Sequence, residues 1–117
     1  MRVEGLFRSA EASRELQPGE VVFAQGDDGD EMYGIVDGSV DLTVDGRTIA
    51  ALGPDDVFGE MAIVDRTQRM ATATATSVSH VVSIDRRHFL FLVHETPMFA
   101  LQVMSTMADR LRPPSSS

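Results

Sequence analysis

The sequence contains no cysteine, which excludes a disulfide framework, a thiolate metal site and a cysteine nucleophile. Basic residues are also few, because 10 Lys and Arg stand against 18 Asp and Glu and the formal net charge is −8. Proteins hold nucleic-acid backbones with clustered Lys and Arg, so this composition argues against direct DNA binding. No apolar run is long enough for a membrane span or a signal peptide, and we expect a soluble, cytoplasmic protein.

The 117 residues suffice for one hydrophobic core but not for two typical domains. Apolar residues make up 43% of the chain and charged residues 24%, which is close to the average for globular proteins. The last five residues, two prolines and three serines, include no side chain that could anchor them. The sequence therefore predicts a single domain over residues 1–112 and a disordered tail over residues 113–117.

Short strands are predicted between residues 14 and 84, where apolar residues tend to occupy every second position. Turn signals such as Asp45-Gly46 interrupt these runs at close spacing. In the segment 70–76, alanines at alternate positions lie on one face and threonines on the other, so the alanine face should pack closely against a neighbour. The pattern predicts a mainly β fold with a closed or sandwiched architecture.

The periodicity becomes helical after residue 84. Asp85 can cap a helix predicted over about residues 86–94, and Thr96-Pro97 supplies an N-cap and a first-turn proline for a second helix. Two apolar stripes run along the second helix: Phe99, Val103 and Met107 form one, and Leu101, Met104, Ala108 and Leu111 form the other. Either this helix is simply well buried, or its second stripe, which has the spacing of a helix-pairing seam, faces a second subunit.

The chemistry is expected in the loop over residues 58–72, which joins two predicted strands. Residues 61–64 can form one helical turn, whose unpaired N–H groups, with an arginine nearby, suit a phosphate anion. Arg66 and Arg69 both lie in this loop. Glu60 would repel a phosphate but could accept a hydrogen bond from a sugar hydroxyl, so the set suits a nucleotide sugar-phosphate. The alternative is that these side chains are ordinary surface charges.

The same loop resembles the phosphate-binding cassette of cyclic-nucleotide-binding domains, the family of catabolite activator proteins and protein kinase A regulatory subunits. The matching residues are Phe58-Gly59-Glu60-Met61-Ala62, then Arg69 and Ala71-Thr72 at the family spacing, with further similarity over residues 18–23, 25–27 and 33–40. The resemblance covers about residues 15–111. It implies a β-roll, a double-stranded β-helix jelly roll, followed by two C-terminal helices.

The resemblance also implies roles for individual residues. Glu60 would accept a hydrogen bond from the ribose 2′-hydroxyl, Arg69 would pair with the cyclic phosphate, and Gly59 would permit the turn. Backbone amides near Ala62 and Ala71 would complete the phosphate cradle. The expected cyclic-nucleotide-binding residues are Gly59, Glu60, Met61, Ala62, Arg69, Met70 and Ala71.

Two residues of the loop depart from the family pattern. Gln68 stands where the family usually has proline, so the loop lacks a constraint that would preorganise it. Met70 stands where the family has alanine, serine or threonine, so it offers no hydroxyl and could crowd the ligand or turn away. Family members with threonine there favour cGMP, so Met70 implies a preference for cAMP. The two departures also leave open a domain that has lost its ligand.

The resemblance implies a non-catalytic sensor of cAMP, less favourably of cGMP, whose output is movement of the C-terminal helices. Because the chain stops at Ser117 without a helix-turn-helix, we expect it to act through a homodimer or a partner protein. The alternative is an interaction or dimerisation module with the same fold and no ligand. A metal-dependent enzyme is disfavoured, because only His80 lies in a predicted strand while His88 and His94 are six residues apart. No metal and no cofactor are therefore expected.

The two arginines of the loop are expected to differ in role. Arg69 lies at the family arginine position, beside the strand that begins near residue 70, and this rigid base favours it as the main phosphate ligand. Arg66 lies in the variable stretch and is expected to be a solvated neighbour. Both side chains are expected outside the core, so neither should be needed for folding.

Overall fold

The computed structural model describes residues 2–8, 13–65 and 67–111. The elements in chain order are β1 (Ser13–Leu16), β2 (Val21–Phe23), β3 (Met32–Asp37), β4 (Val40–Val44), β5 (Arg47–Leu52), β6 (Val57–Phe58), α1 (Met61–Val64), β7 (Thr72–Ala75), β8 (Ser79–Ile84), α2 (Arg86–Glu95) and α3 (Met98–Leu111). The strands form two antiparallel four-stranded sheets, in the orders β1-β8-β3-β6 and β2-β7-β4-β5. The predicted mainly β roll with two C-terminal helices is confirmed.

The sheet β2-β7-β4-β5 buries one face, and its strands show the alternation that the sequence predicted. Ala73 and Ala75 on β7 are 0% and 1% exposed, whereas Thr72 and Thr74 are half-buried. The alanine face packs on a core that includes Ile35 from the opposite sheet. Small side chains on β7 let the two sheets approach closely. The strand β7 itself is shorter at both ends than the predicted segment 70–76.

The sheet β1-β8-β3-β6 is buried on both of its faces. The consecutive residues 32–35 on β3 are all buried, because one face contacts the other sheet and the opposite face contacts the helices. On the helix side, Met32 and Ile84 pack with Phe99 and Val103 of α3. This second core holds α2 and α3 against the roll, and it explains why β3 lacks a clean alternation of apolar and polar residues.

The predicted helix starts agree with the structure to within a residue. The Asp85 side chain accepts a hydrogen bond from the backbone N–H of His88 (2.8 Å) and so caps α2. The single helical turn predicted over residues 61–64 is present as α1. The predicted tail over residues 113–117 lies outside the described residues. No helix of the described chain is long and apolar enough to cross a membrane.

The two apolar stripes of α3 have different environments. Phe99 and Val103 of the first stripe are 0% and 2% exposed, whereas Leu101 and Met104 of the second are 47% and 60% exposed. Ala108, which continues the second stripe, is exposed as well. The interpretation in which α3 is buried all round is therefore wrong for this chain, and an apolar stripe remains uncovered.

Gln102, which lies between the two stripes, ties α3 to the N-terminal segment and to the turn before β6. Its side chain is 1% exposed. Its Oε1 atom accepts a hydrogen bond from the Val3 backbone N–H (2.8 Å), and its Nε2 atom donates to the Asp55 carbonyl (2.7 Å). Phe7 in the same segment contacts Phe99 edge to face, with 6.1 Å between ring centroids. The first turns of α3 are therefore held by both apolar and polar contacts.

A small ionic cluster joins three neighbouring strands away from the second core. His80 on β8 pairs in register with Glu15 on β1 and Asp37 on β3. Its Nδ1 atom lies 2.7 Å from Asp37 Oδ1, and its Nε2 atom lies 3.5 Å from Glu15 Oε2. The hydrogen bond to Asp37 raises the pKa of His80, and the charges of both carboxylates act in the same direction. The charged imidazole is thus favoured in the folded state.

We predict that this cluster makes stability depend on pH. Because the pKa of His80 is raised on folding, its stabilising effect is complete below the usual value of about 6.5 and is lost as the pH rises through the folded value. His80→Gln should therefore lower the melting temperature at about pH 5.5 and have little effect at about pH 9. His94→Gln, at a histidine with 85% side-chain exposure, provides the control for the substitution itself. Equal losses for His80→Gln at both pH values would contradict the prediction.

Candidate functional site

The loop over residues 58–72, called the cassette below, begins with a sharp turn at the end of β6. Gly59 has φ +77°, a backbone conformation that favours glycine, as the sequence predicted. The turn places Glu60 at the start of α1, where its side chain is only 2% exposed. A carboxylate this deeply buried is costly unless it is paired. Glu60 therefore requires a cationic partner.

Arg110 near the end of α3 is the partner of Glu60. Its Nη1 atom donates to Glu60 Oε1 in an ion pair, and its Nη2 atom donates to the Val57 carbonyl (2.9 Å). The sequence analysis missed Arg110. One signal was available, because Arg110 lies three residues beyond Met107 and so continues the buried stripe of α3, where an arginine needs an acidic partner.

Arg69 is the second buried charge of the site, with 7% of the residue exposed. Its Nη1 atom donates to the Gly59 carbonyl (3.2 Å) and its Nη2 atom donates to the Glu31 carbonyl (2.7 Å). The Nε–H group is also buried and has no hydrogen-bond partner among the described residues. The expectation that the Arg69 side chain lies outside the core is wrong, because the guanidinium group is enclosed by Phe23 and by the carbonyls of Gly59 and Glu31.

The guanidinium group of Arg69 packs on a cluster of aromatic rings. Its central carbon lies 4.1 Å from the ring centroid of Phe23, within the range of a cation–π contact. Phe23 packs on Tyr33 and Phe58, with centroid distances of 5.9 Å to each, and Tyr33 stacks on Phe58 at 5.2 Å. Burial raises the pKa of the Tyr33 hydroxyl above its usual value of about 10, so this ring stays neutral near pH 7.

The backbone of Arg69 is fixed by the turn that follows β2. The Arg69 N–H donates to the Asp27 carbonyl (2.7 Å), and the Gly26 N–H donates to the Arg69 carbonyl (2.7 Å). This pairing gives Arg69 the rigid base that the sequence analysis expected from the neighbouring strand alone. Arg66, expected to be a solvated neighbour, lies outside the described residues.

All seven residues predicted to bind a cyclic nucleotide line one cavity of about 290 Å³. Its walls also include side chains that the sequence analysis did not assign to the site, from β2, β4, β5 and α3: Phe23, Leu42, Val44, Ile49, Met107 and Arg110. These strands lie far from the cassette in sequence, and only the folding of the roll brings them to it. The cavity therefore has a polar end at Glu60 and Arg69 and a largely apolar remainder.

The charges of the cavity suit a ligand with one negative charge. Among the described residues that line it, the charged ones are Glu60, Arg69 and Arg110. Arg110 neutralises Glu60, so the cationic Arg69 is not cancelled and the site is locally positive within an acidic chain. The repulsion that Glu60 would exert on a phosphate is thereby removed. The described residues contain no group of three His, Cys, Asp or Glu that could hold a metal ion.

The remaining cassette residues differ in how far they are available to a ligand. The Ala62 N–H, expected in the phosphate cradle, donates to the Gly59 carbonyl over 3.3 Å, which is a long hydrogen bond. Ala71 is 9% exposed and belongs to the core between the sheets. Met70 is 62% exposed and Gln68 is also exposed, so neither side chain fills the cavity that it lines.

Comparison with known proteins agrees with this geometry. The family model described as "Cyclic nucleotide-binding domain" matches residues 13–96. The chain is 34% identical over 92% of its length to the CRP-like cAMP-activated global transcriptional regulator of Mycobacterium tuberculosis, and spans 55% of that protein. It is 36% identical over 86% of its length to the cAMP-dependent protein kinase regulatory subunit of Dictyostelium discoideum, and spans 34% of it.

A solved structure shows the same relationship in three dimensions. The Thermus thermophilus catabolite activator protein superposes with a TM-score of 0.73 and 31% sequence identity, covering 92% of this chain and 58% of its own. The chain thus spans about half the length, or less, of the relatives named here. It belongs to the cyclic nucleotide-binding domain family.

We predict that Gly29 is needed to position Arg69. A Cβ atom at Gly29 would lie 2.5 Å from Arg69 Nε and Nη2, so Gly29→Ala must displace the guanidinium group. The displaced group also loses its hydrogen bonds to the Gly59 and Glu31 carbonyls, so the melting temperature without ligand should fall modestly while the roll stays folded. The affinity for a cyclic nucleotide should fall about tenfold, which corresponds to about 1.4 kcal/mol. Titration calorimetry and thermal melting measure the two effects.

The matched control for Gly29→Ala is Gly53→Ala, because a Cβ atom at Gly53 would meet no other atom within 4 Å. This control should keep the affinity of the wild type. An unchanged affinity in Gly29→Ala would show that the position of the Arg69 guanidinium group does not matter for the ligand.

Proposed function

We propose that this domain is a non-catalytic sensor of cyclic nucleotide, with cAMP as the preferred ligand. The observation that carries the proposal is the buried guanidinium group of Arg69, whose Nε–H has no acceptor among the described residues. A buried donor without an acceptor is rare in folded proteins and costs free energy. A phosphate oxygen would satisfy it, and the positive charge of Arg69 suits the single negative charge of a cyclic phosphate.

Size and polarity support a mononucleotide in this cavity. Its volume of about 290 Å³ is just below the range for small-molecule sites, about 300–1,000 Å³, which fits a small ligand. The apolar side chains of Leu42, Val44 and Ile49 would contact the flat base, while the Glu60 carboxylate would accept a hydrogen bond from the ribose 2′-hydroxyl. The relatives named as cAMP-activated or cAMP-dependent belong to the same family, which supports cAMP as the ligand.

The alternative, a module that has lost its ligand, depended on Gln68 and Met70. Met70 is exposed and does not crowd the cavity, and hydrogen bonds between Arg69 and the turn after β2 constrain the loop beside Gln68, so the alternative loses its main support. The choice of cAMP over cGMP depends on Met70 as well. The Met70 side chain offers no hydroxyl to the amino group of guanine, so cGMP gains no hydrogen bond there that cAMP lacks.

Signalling would proceed through α3. Arg110 and Met107 of this helix line the cavity, and Arg110 holds the carboxylate that a ribose hydroxyl would use. A ligand at Glu60 therefore changes the environment of Arg110 directly. Binding would shift α3 between two positions, because the ligand contacts the cassette differently in each. We propose this movement as the output of the domain.

A second copy of the chain is the proposed partner of the exposed stripe on α3. Leu101, Met104 and Ala108 follow the three-then-four spacing of a helix-pairing seam and are all exposed. Pairing the same stripe of two copies would remove these apolar side chains from water. A homodimer would also place the moving helix at the subunit interface.

We predict that the nucleotide-stripped protein binds cAMP more tightly than cGMP. Met70→Thr should narrow the difference, because a hydroxyl at this position can accept a hydrogen bond from the guanine amino group. Titration calorimetry with both nucleotides measures this. Equal affinities in the wild type would refute the argument from Met70, and binding of neither nucleotide would refute the proposed function.

Arg69 is predicted to be the main phosphate ligand. Arg69→Met keeps the apolar stem over Phe23 but removes the charge, and it should cost roughly 2–5 kcal/mol of cAMP binding. Arg66→Ala should cost under about 1 kcal/mol, because Arg66 belongs to the variable stretch of the cassette and not to the family arginine position. Melting curves without ligand separate loss of affinity from loss of fold. Equal losses of affinity for the two variants would mean that the phosphate lies elsewhere.

The dimer is predicted to dissociate when charge is placed on the stripe. Leu101→Glu combined with Met104→Glu should give a monomer in sedimentation velocity, because four buried carboxylates would face one another across the interface. Thr48→Glu combined with Ala51→Glu adds the same charge to exposed positions of β5 and should leave the dimer intact. A wild type that stays monomeric at high concentration would refute the proposed interface.

A further inference from the structure

Three of the seven methionines of the chain line the proposed nucleotide cavity: Met61 beside Glu60, Met70 beside Arg69, and Met107 on α3. The chain has no cysteine, so thioethers are its only sulfur atoms. Met61 and Met107 are half-buried, whereas Met70 is 62% exposed. Met70 is therefore the methionine of this cavity that a small solute reaches most easily.

Met70 lines the cavity, so a change in its oxidation state would change the surface that a ligand meets there. Met70 lies between Arg69, which would hold the phosphate, and Ala71, which belongs to the core. As a thioether it adds to the apolar surface of the cavity. As a sulfoxide it would carry a strongly hydrated oxygen atom, which a bound nucleotide would have to dehydrate.

We propose that Met70 is a peroxide-sensitive modification site that lowers the affinity of the domain for its nucleotide, an inference that rests on the proposed function. The oxidant is a peroxide such as hydrogen peroxide. The sulfur lone pair attacks one oxygen of hydrogen peroxide, and an S–O bond forms as the O–O bond breaks. The proton on the attacked oxygen passes to the leaving hydroxide, which departs as water and leaves the sulfoxide. The sulfur is oxidised by two electrons and the peroxide is reduced by two, and methionine sulfoxide reductases reverse the change.

The chain contains matched controls for this proposal. Met104 on α3 is 60% exposed, almost the same as Met70, but does not belong to the described residues that line the cavity. Met32 is 0% exposed and lies in the core under the helices. At protein concentrations where the chain is monomeric and the stripe on α3 is uncovered, exposure predicts that Met70 and Met104 oxidise at similar rates and Met32 far more slowly. Of the two exposed methionines, position predicts that Met70 is protected by bound nucleotide and Met104 is not.

The experiment treats the full chain with dilute hydrogen peroxide and follows each methionine by peptide mass spectrometry. Saturating cAMP should slow sulfoxide formation at Met70 and leave the rate at Met104 unchanged. The affinity for cAMP is then measured by titration calorimetry before oxidation, after it, and after repair by methionine sulfoxide reductases. We expect the oxidised protein to bind cAMP roughly tenfold more weakly, and repair to restore the affinity.

Two variants assign the effect to one residue. In Met70→Leu, the affinities before and after peroxide should be equal, whereas Met104→Leu should still lose about tenfold on oxidation, as the wild type does. An equal loss in Met70→Leu, an unchanged affinity with Met70 fully oxidised, or oxidation of Met70 as slow as that of Met32 would each overturn the proposal. Failure of the untreated protein to bind any cyclic nucleotide would instead overturn the proposed function, and the inference with it.

Discussion

The ion pair between Glu60 and Arg110 is the interaction on which the rest of the site depends. Glu60 is almost completely buried, and a buried carboxylate without a partner costs several kcal/mol. Its partner lies on α3, the last helix described, so the cassette and the C-terminal helix stabilise each other. The same pair removes the charge that would repel a phosphate from Arg69. Folding, ligand affinity and the position of α3 therefore share one contact.

The rest of the fold supports this contact from two sides. The turn after β2 fixes the backbone of Arg69, and the rings of Phe23, Tyr33 and Phe58 support its guanidinium group. On the other side, Gln102 and the second core hold the base of α3 against the roll. A ligand that changes the partners of Glu60 thus acts on a helix whose first turns are fixed and whose end carries Arg110. Movement of α3 is expected to be largest at that end.

Local patterns in the sequence predicted the elements and the cassette, because those features depend on neighbouring residues. The alternating alanines of β7, the Asp85 cap and the turn at Gly59 are of this kind. The cassette motif predicted seven ligand-binding residues, and all seven line one cavity of the folded chain. Arg110 and Gly29 were missed because they meet Glu60 and Arg69 only after folding, across 50 and 40 residues of sequence. The burial of Arg69 was mispredicted for the same reason.

Hydrogen exchange of the α3 amides tests most directly whether the nucleotide cavity is linked to this helix. Exchange is measured with and without cAMP, in the wild type and in Arg110→Met, at cAMP concentrations that titration shows to occupy both proteins. In the wild type, cAMP should change the protection of the last turns of α3, where Arg110 lies. In Arg110→Met these amides should exchange rapidly whether or not cAMP is bound. A response to cAMP in the variant equal to that of the wild type would contradict the account.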